Sequence, residues 1–432
     1  MTRVRITGAG SEMQGVGRLS DGRAVFIPGA LPGEEVEIEI TRQKERFCEG
    51  RLLRVIEPSS DRCVPDCPYY GACGGCRTRH MTYAAALKLK REKVYSALTR
   101  IGGLIDPVVE DTLPSPLTDA YRNKAEFAHI SGKTGVFEEG TNTVIDTGIC
   151  LLQTEGANNL LKYLAPRLTG GVKYIVIRTA SSGDMMLTLS LAYPEDVTQL
   201  AQGAIKAFDK LKSVYMCRLN RPHTHALDGQ CTKLAGAEAL TESLCGLSFS
   251  VSPRSFFQVN RLQAERLYGA ALALAGLSPT DRVCDIYCGA GTISLCAAQA
   301  CAHVTGIEIV PDAIRDAKQN ALKNGLSEKT EFICGDAAKI YPRLAGKFDC
   351  VITDPPRKGM DAQVLNALTE APAKRLIYVS CDPATLARDI KILTASGKYA
   401  FQKALPVDMF PQTAHVETVV LLYKKQKERV QE

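Results

Sequence analysis

The chain has 432 residues, of which 45% are hydrophobic and 23% charged, and a net charge of +6. That balance excludes a disordered or fibrous chain and allows roughly two to four domains, each with its own core. No run approaches the roughly 18 apolar residues of a membrane span, and the opening Met-Thr-Arg-Val-Arg-Ile-Thr leads into no apolar signal region. A cytoplasmic, non-membrane protein is expected, so its 16 cysteines read as thiols or metal ligands rather than a disulfide framework.

Residues 1–58 read as short strands punctuated by Gly15-Val-Gly17, Ser20-Asp-Gly22, Pro28-Gly29 and Pro32-Gly33. Glu35-Val-Glu-Ile-Glu-Ile40 alternates strictly, as a strand half-buried on a small barrel does. The expectation is a compact, OB-like five-strand β-barrel. Its charges nearly balance, so composition alone does not make it a nucleic-acid binder. The order Gly15-Val-Gly-Arg18, then Val25-Phe-Ile-Pro-Gly-Ala-Leu-Pro-Gly-Glu34, resembles a TRAM domain, which implies RNA binding.

Next comes Cys63-x3-Cys67-x5-Cys73-x2-Cys76 in a Gly- and Pro-rich stretch. Four thiols in fourteen residues point to a metal or cluster. Structural zinc favours two close pairs, and only Cys73/Cys76 has that spacing. Thiolates on an irregular loop also suit iron–sulfur. The radical-SAM spacing Cys-x3-Cys-x2-Cys is excluded, because Tyr70 stands where its third cysteine belongs.

Residues 77–100 hold seven Lys/Arg against Glu92 alone, an excess equal to the net charge of the whole chain. A basic helix over about 83–101 is expected, with Leu87, Val94, Leu98 and Ile101 on its apolar face and Lys88 and Lys93 off it. It would suit a phosphate backbone. Gly102-Gly103 ends it.

From about 104 to 250, strand patterns at 174–177, 185–189, 214–217 and 247–251 alternate with helical stretches near 154–166 and 195–210. These suggest an α+β middle domain. Tyr121-Arg-Asn-Lys124 is a candidate phosphate contact. Nothing local marks Cys150 as a ligand.

After Ser252-Pro253, strand–helix alternation persists. The strand 282–288 runs into Gly289-Ala-Gly291, and a second strand ends in Glu308, 17 residues further on. A glycine turn after strand one and an acid ending strand two form the nucleotide-binding arrangement of doubly wound folds. Ser294 replaces the third glycine of the dinucleotide fingerprint, which argues against NAD. Strands ending at Asp336, Asp354 and Cys381 follow, and a last strand bears Glu417. Cys381 falls between a buried strand and a helix capped by Asp382, where helix-terminal amides favour a thiolate.

Together, Ser255-Phe-Phe-Gln-Val-Asn260, Tyr287-Cys-Gly-Ala-Gly-Thr292, Asp354-Pro-Pro-Arg357, Ser380-Cys-Asp-Pro-x-Thr-Leu-x-Arg-Asp389 and His415-Val-Glu417 resemble RNA 5-methyluridine methyltransferases of the bacterial ribosomal type. The resemblance implies three units: a TRAM-like barrel (1–58), an iron–sulfur cluster loop with basic helix and α+β domain (59–250), and a Rossmann-like class I SAM-dependent methyltransferase (251–432). It implies SAM binding by Gln258, Tyr287, Glu308, Asp336 and Asp354, with Cys381 as nucleophile and Glu417 as base. It also implies a 4Fe-4S cluster on Cys67, Cys73, Cys76 and Cys150, with Cys63 left spare. Asp382 and Thr292 depart from asparagines common in the family.

Uracil C5 needs activation by a thiolate at C6 and a carboxylate to remove its proton. The target uridine must be single-stranded or flipped out, with Phe256 or Phe257 available to stack on it and the other in the core. The expected partner is 23S ribosomal RNA, because the family's transfer-RNA branch lacks barrel and cluster by resemblance. A transfer-RNA uracil-C5 enzyme, an exocyclic-nitrogen methylase and a non-catalytic ribosome-assembly protein are the alternatives. No coiled-coil repeat is visible, and a monomer is expected.

Overall fold

A computed structural model describes residues 2–221 and 224–425. Strands β1 (Thr2–Ala9), β2 (Gly15–Arg18), β3 (Ala24–Ile27), β4 (Glu35–Gln43) and β5 (Phe47–Glu57) close into a barrel in the order β1-β2-β3-β5-β4. Val4, Ile6, Val25, Ile27, Val36 and Ile38 fill it, as the alternating pattern requires. Gly17 is obligatory there: a Cβ would lie 2.2 Å from Val4 Cγ1 and 2.8 Å from the Arg5 carbonyl. Fully buried Glu34 ties the barrel to the following loop. Its carboxylate accepts bonds from Arg62 Nε (2.5 Å) and Nη2 (2.8 Å) and from the Leu31 amide.

Thr82 caps α1 (Tyr83–Arg100) by accepting the Ala85 amide. Its apolar face differs from the expected one. Ala86, Leu89, Val94 and Leu98 are buried, whereas Leu87 is half-buried and Ile101 is 41% exposed. The basic run is also largely internal. Lys90 is buried, Arg79 is buried between Asp66 and Asp119, and Arg77 pairs with Glu139. Of the seven cations only Lys88 and Arg100 are exposed, so the helix is not a continuous phosphate-binding face. A charge count cannot reveal which cations are already neutralised by acids distant in sequence.

The middle sheet contains β6 (Lys124–Ile130), β7 (Lys133–Phe137), β8 (Val144–Asp146), β9 (Val172–Thr179), β10 (Met185–Leu191), β11 (Leu211–Leu219) and β12 (Gly229–Gly236), in the order β12-β11-β10-β9-β6-β7-β8. Helices α2 (Glu155–Leu164) and α3 (Thr198–Ala207) cover it through Leu160, Leu161, Leu164, Ala201 and Ala204.

Hairpin β13 (Leu240–Leu244) and β14 (Leu247–Val251) leads into the last domain, and Leu244, Leu247, Phe249 and Val251 already belong to that domain's core. There α4 (Arg261–Ala275), β15 (Arg282–Ile286), α5 (Thr292–Ala298), β16 (His303–Glu308), α6 (Pro311–Lys323), β17 (Thr330–Cys334), α7 (Ala337–Leu344), β18 (Cys350–Thr353), α8 (Ala362–Glu370), β19 (Arg375–Ser380), α9 (Pro383–Ala395), β20 (Tyr399–Val407) and β21 (Glu417–Lys424) form a doubly wound fold. The sheet order is β17-β16-β15-β18-β19-β21-β20, parallel except for β21, which runs antiparallel to both neighbours. Helices α4, α5 and α6 pack on one face. On the other, α7, α8 and α9 are joined by α1, whose Val94 and Leu98 enter this core although their sequence position suggested the middle domain. Among the described residues no helix is long and apolar enough to cross a membrane.

Candidate active site

The carboxyl edge of this sheet opens into a cleft of about 1350 Å³. Parallel strands deliver their terminal side chains to that edge, and the strand order reverses between β15 and β18. Gln258, Tyr287, Glu308, Asp336, Asp354, Cys381 and Glu417 all line it. Tyr287 leaves β15 with φ +69°, a left-handed backbone held at the start of the loop that also carries Gly289 (+55°) and Gly291 (+79°).

Glu308 is fixed at the end of β16. One of its oxygens accepts the Gly289 amide at 3.2 Å and the other the Val310 amide at 2.8 Å. Each oxygen keeps a lone pair for a further donor, which fits the two hydroxyls of a ribose. Asp336 caps α7 through the Ala338 amide. Asn123 Nδ2 donates to the Gln258 carbonyl at 2.9 Å and the Asn123 amide donates to the Val259 carbonyl, so this segment of the middle domain braces the cleft wall at Gln258. The donor set of an acid, an amide, a phenol and close-approach glycines fits SAM. Thr292 opens α5 on the cleft, its hydroxyl 3.2 Å from that of Tyr268.

Cys381 directly follows β19, and Glu417 opens the adjacent β21. Register pairs Ser380 with Thr418, so the next antiparallel step sets Cys381 opposite Glu417. Burial and the nearby Asp354 push the Glu417 carboxyl upward, and Arg357 acts against that rise. Burial pushes Asp354 up as well. The Cys381 thiol is raised to about 11, chiefly by burial, then by Glu417 and Asp354, with Arg357 opposing. Asp382 caps α9 through the Ala384 and Thr385 amides, so the acid does the capping an asparagine would do.

Sequence reasoning missed Asp285, a buried acid on β15 that lines the cleft and accepts the Ser294 hydroxyl. Burial raises it to about 7. A carboxylate inside Val-Cys-Asp-Ile was the available signal. The cations on the cleft include Arg77, Arg122, Arg254, Arg315, Arg357 and Lys358, gathered from five separated segments. Phe256 is 71% exposed on the cleft and Phe257 is core, both on a loop rather than a strand. Tyr121-Arg-Asn-Lys124 is mainly internal: Tyr121 is buried, Asn123 is structural and Lys124 pairs with Glu126, while Arg122 faces the cleft.

Cys67, Cys73, Cys76 and Cys150 line a second cavity of about 400 Å³. Cys63 is exposed, its thiol against the Arg79 carbonyl at 3.4 Å, and is not among that cavity's lining residues. Among the described residues no group of three or more His, Cys, Asp or Glu closes to metal-holding geometry; the thiols share the walls of a space rather than a point. Four thiols on irregular backbone are nonetheless the donor chemistry of a thiolate-bound iron–sulfur centre. Gly75 and Arg122 line both cavities, so the cysteine loop adjoins the active cleft.

Comparison with known proteins agrees with this geometry. Residues 238–425 match the family model tRNA (Uracil-5-)-methyltransferase, and residues 2–53 match the TRAM domain. An uncharacterized RNA methyltransferase of Clostridium tetani is 36% identical over 447 residues, covering 96% of this chain and 95% of its own. One from Halalkalibacterium halodurans is 37% identical, covering 94% and 93%. The crystal structure of Pyrococcus abyssi tRNA (uracil-54, C5)-methyltransferase in complex with S-adenosyl-L-homocysteine superposes with a TM-score of 0.78 at 26% identity, over 98% of this chain and 100% of that one. A transfer-RNA enzyme thus matches 98% of this chain, a span too long to leave out the barrel, so the expectation that the barrel marks a ribosomal-RNA enzyme is not supported. The family match also begins before the hairpin β13–β14, in keeping with the hairpin's place in the catalytic core. The chain belongs to the RNA uracil-5-methyltransferase family of SAM-dependent enzymes, with a TRAM domain at its N-terminal end.

Proposed function

We propose that this protein forms 5-methyluridine in RNA through a covalent adduct between Cys381 and uracil C6. The reading is carried by one observation: Cys381, which directly follows β19, and the buried Glu417, which opens β21, lie one register step beyond the Ser380–Thr418 pair and both line the cleft. The Cys381 thiolate adds to C6, and the electron pair moves to the C4 oxygen as an enolate, leaving C5 nucleophilic. SAM, when bound, supplies an electrophilic methyl group on a sulfonium sulfur. Gln258, Tyr287, Glu308, Asp336 and Asp354 would hold it with that methyl group towards C5. Glu417 then removes the C5 proton, the C5–C6 double bond returns and the Cys381–C6 bond breaks. Phe256 offers a ring for the extruded base, and the cleft arginines offer phosphate contacts.

Cys67, Cys73, Cys76 and Cys150 would hold a 4Fe-4S cluster, whose role is structural or RNA-positioning. The favoured substrate is 23S ribosomal RNA, on the resemblance of the Cys67-x5-Cys73-x2-Cys76 loop and its distant Cys150 to the ribosomal branch. Transfer RNA is the second reading, supported by the full-length likeness to the Pyrococcus abyssi enzyme. The enzyme is taken to act as a monomer.

The test is nucleoside mass spectrometry after incubating anaerobically purified protein and methyl-labelled SAM with unmodified 23S RNA and, separately, unmodified transfer RNA. Label in 5-methyluridine on 23S RNA supports the first reading, and label on transfer RNA the second. Label on another nucleoside would overturn the Cys381 chemistry.

A further inference from the structure

Residues 408–416 connect β20 to β21 and deliver Glu417. Within the loop the Thr413 amide and hydroxyl donate to Phe410 O, and Asn260 Nδ2 of the methyltransferase domain donates to Met409 O at 3.1 Å. In addition, four of the five carbonyls from Phe410 to Ala414 accept donors from the N-terminal half of the chain. Lys90 Nζ donates to Phe410 O at 3.1 Å, Tyr121 Oη to Pro411 O at 3.0 Å, and Lys93 Nζ to Ala414 O at 2.9 Å. The amides of Arg77 and Thr78 both donate to Gln412 O, at 2.7 and 3.3 Å. Lys90 also anchors the loop's first residue, with its ammonium 2.5 Å from Asp408 Oδ1, both side chains 1% exposed. Ala414 packs among Met13 and Leu31 of the barrel and Met81, Ala86 and Leu89 around α1.

Gln412 sits in the middle of these contacts with φ +67°, a left-handed backbone that a glutamine adopts only when its surroundings enforce it. The two amides that hold it directly follow Cys76. Phe410, Thr413, Ala414 and His415 meanwhile form the cleft wall beside Glu417. The strand that bears the base is therefore entered from a loop whose middle is fastened to the cysteine loop and α1, while its ends pack in the methyltransferase core through Met409 and Val416.

We propose that Lys90, Tyr121 and the Arg77–Thr78 backbone are positioning residues for Glu417: they clamp the 408–416 loop so that the carboxylate stands over the carbon that must lose its proton. The inference rests on the reading of Glu417 as base. It gives the cysteine loop a defined contribution, since whatever orders Cys76 also orders the amides that hold Gln412. A loosened clamp would leave thiolate addition and methylation in place and slow the last proton removal.

The test is a single-turnover reaction of the full-length holoenzyme with RNA and labelled SAM, quenched in detergent. Covalent protein–RNA adduct and free 5-methyluridine are measured separately, and SAM affinity is measured by calorimetry. Glu417→Gln serves as the reference for a blocked base. Lys90→Met leaves Asp408 unpaired and can compromise folding, so Tyr121→Phe, which deletes one hydroxyl, is run beside it. Both variants are expected to accumulate adduct and to release product about 10–100-fold more slowly, with SAM affinity unchanged. If Glu417→Gln traps adduct while Tyr121→Phe and folded Lys90→Met release product at the parental rate, the clamp is refuted and the base assignment stands. An equal loss of adduct formation and release also refutes the clamp, since that is what general destabilisation produces. If Glu417→Gln itself releases product normally, the base assignment falls, and the clamp with it.

Discussion

Cys381, the residue after β19, and Glu417, the first of β21, stand opposite each other one step beyond the Ser380–Thr418 pair. Antiparallel pairing of the last strand is what makes this possible. It brings a residue at the start of β21 to the carboxyl edge at which every parallel strand ends. On the assigned mechanism, nucleophile and base stand at the ends of two strands that pair with each other as far as Ser380–Thr418.

Replacing either group separates their roles. Cys381→Ala is expected to reduce methyl transfer to background while SAM binding persists. Glu417→Gln should lower turnover by about 10²–10⁴-fold. Single-turnover rates together with SAM calorimetry check both. A Cys381→Ala enzyme that still methylates uridine would end the covalent reading.

The pH dependence has a defined sign. Burial and Asp354 raise the Glu417 carboxyl, and burial raises the Cys381 thiol to about 11. Both groups act in their ionised forms, so activity should climb with pH through neutrality and above, and alkylation of free Cys381 by iodoacetamide should climb likewise. Arg357 opposes both shifts, so Arg357→Met should move both profiles to higher pH, lowering activity near neutrality by up to about tenfold. Profiles unchanged in that variant would remove Arg357 from the site's electrostatics.

The Glu34–Arg62 joint between barrel and cysteine loop should dominate local stability. Burial pushes the Glu34 carboxyl up, but Arg62 and the Leu31 and Ser59 amides outweigh it, and the group ends below its ordinary range. A depressed folded value means the contribution is present above the unfolded value and is lost as pH falls through the folded one. Arg62→Ala strands a buried carboxylate and should cost about 3 kcal/mol in urea denaturation. A cost near zero would show that the barrel docks without this pair.

Iron content tests the cysteine set. Cys73→Ser and Cys150→Ser are expected to lose anaerobically reconstituted iron and its visible absorbance, whereas Cys63→Ser should keep both. Retention of iron by Cys150→Ser with loss by Cys63→Ser would reverse the assignment of the fourth ligand.

Several elements were legible because they are local. The strict alternation of Glu35–Ile40 gives a barrel strand, and the apolar run ending at Ser380 followed by Asp382-Pro383 gives strand, cap and helix. The glycine turn and Glu308, two short motifs, both fall on the cleft and are joined by the Gly289 amide. The α1 face was misread because Lys90, a cation by composition, is buried against Asp408, 318 residues away. No periodicity records that partner. The hairpin β13–β14 read as part of the middle domain because strand patterns carry no label for the core they join.

The sequence by itself determined the chemistry available: which thiol ends a strand, which acid opens one, which glycines let a ligand approach and that several cysteines gather in one Gly- and Pro-rich loop. Those facts follow from side-chain identity and short-range backbone preference. Only the tertiary structure decided which groups meet. It set Cys381 opposite Glu417 through strand register, put Cys150 on one cavity with three cysteines some 74 to 83 residues earlier, and fastened the loop before Glu417 to α1 and the cysteine loop. Long-range burial and ion pairing are properties of the packed chain, and no window of sequence contains them.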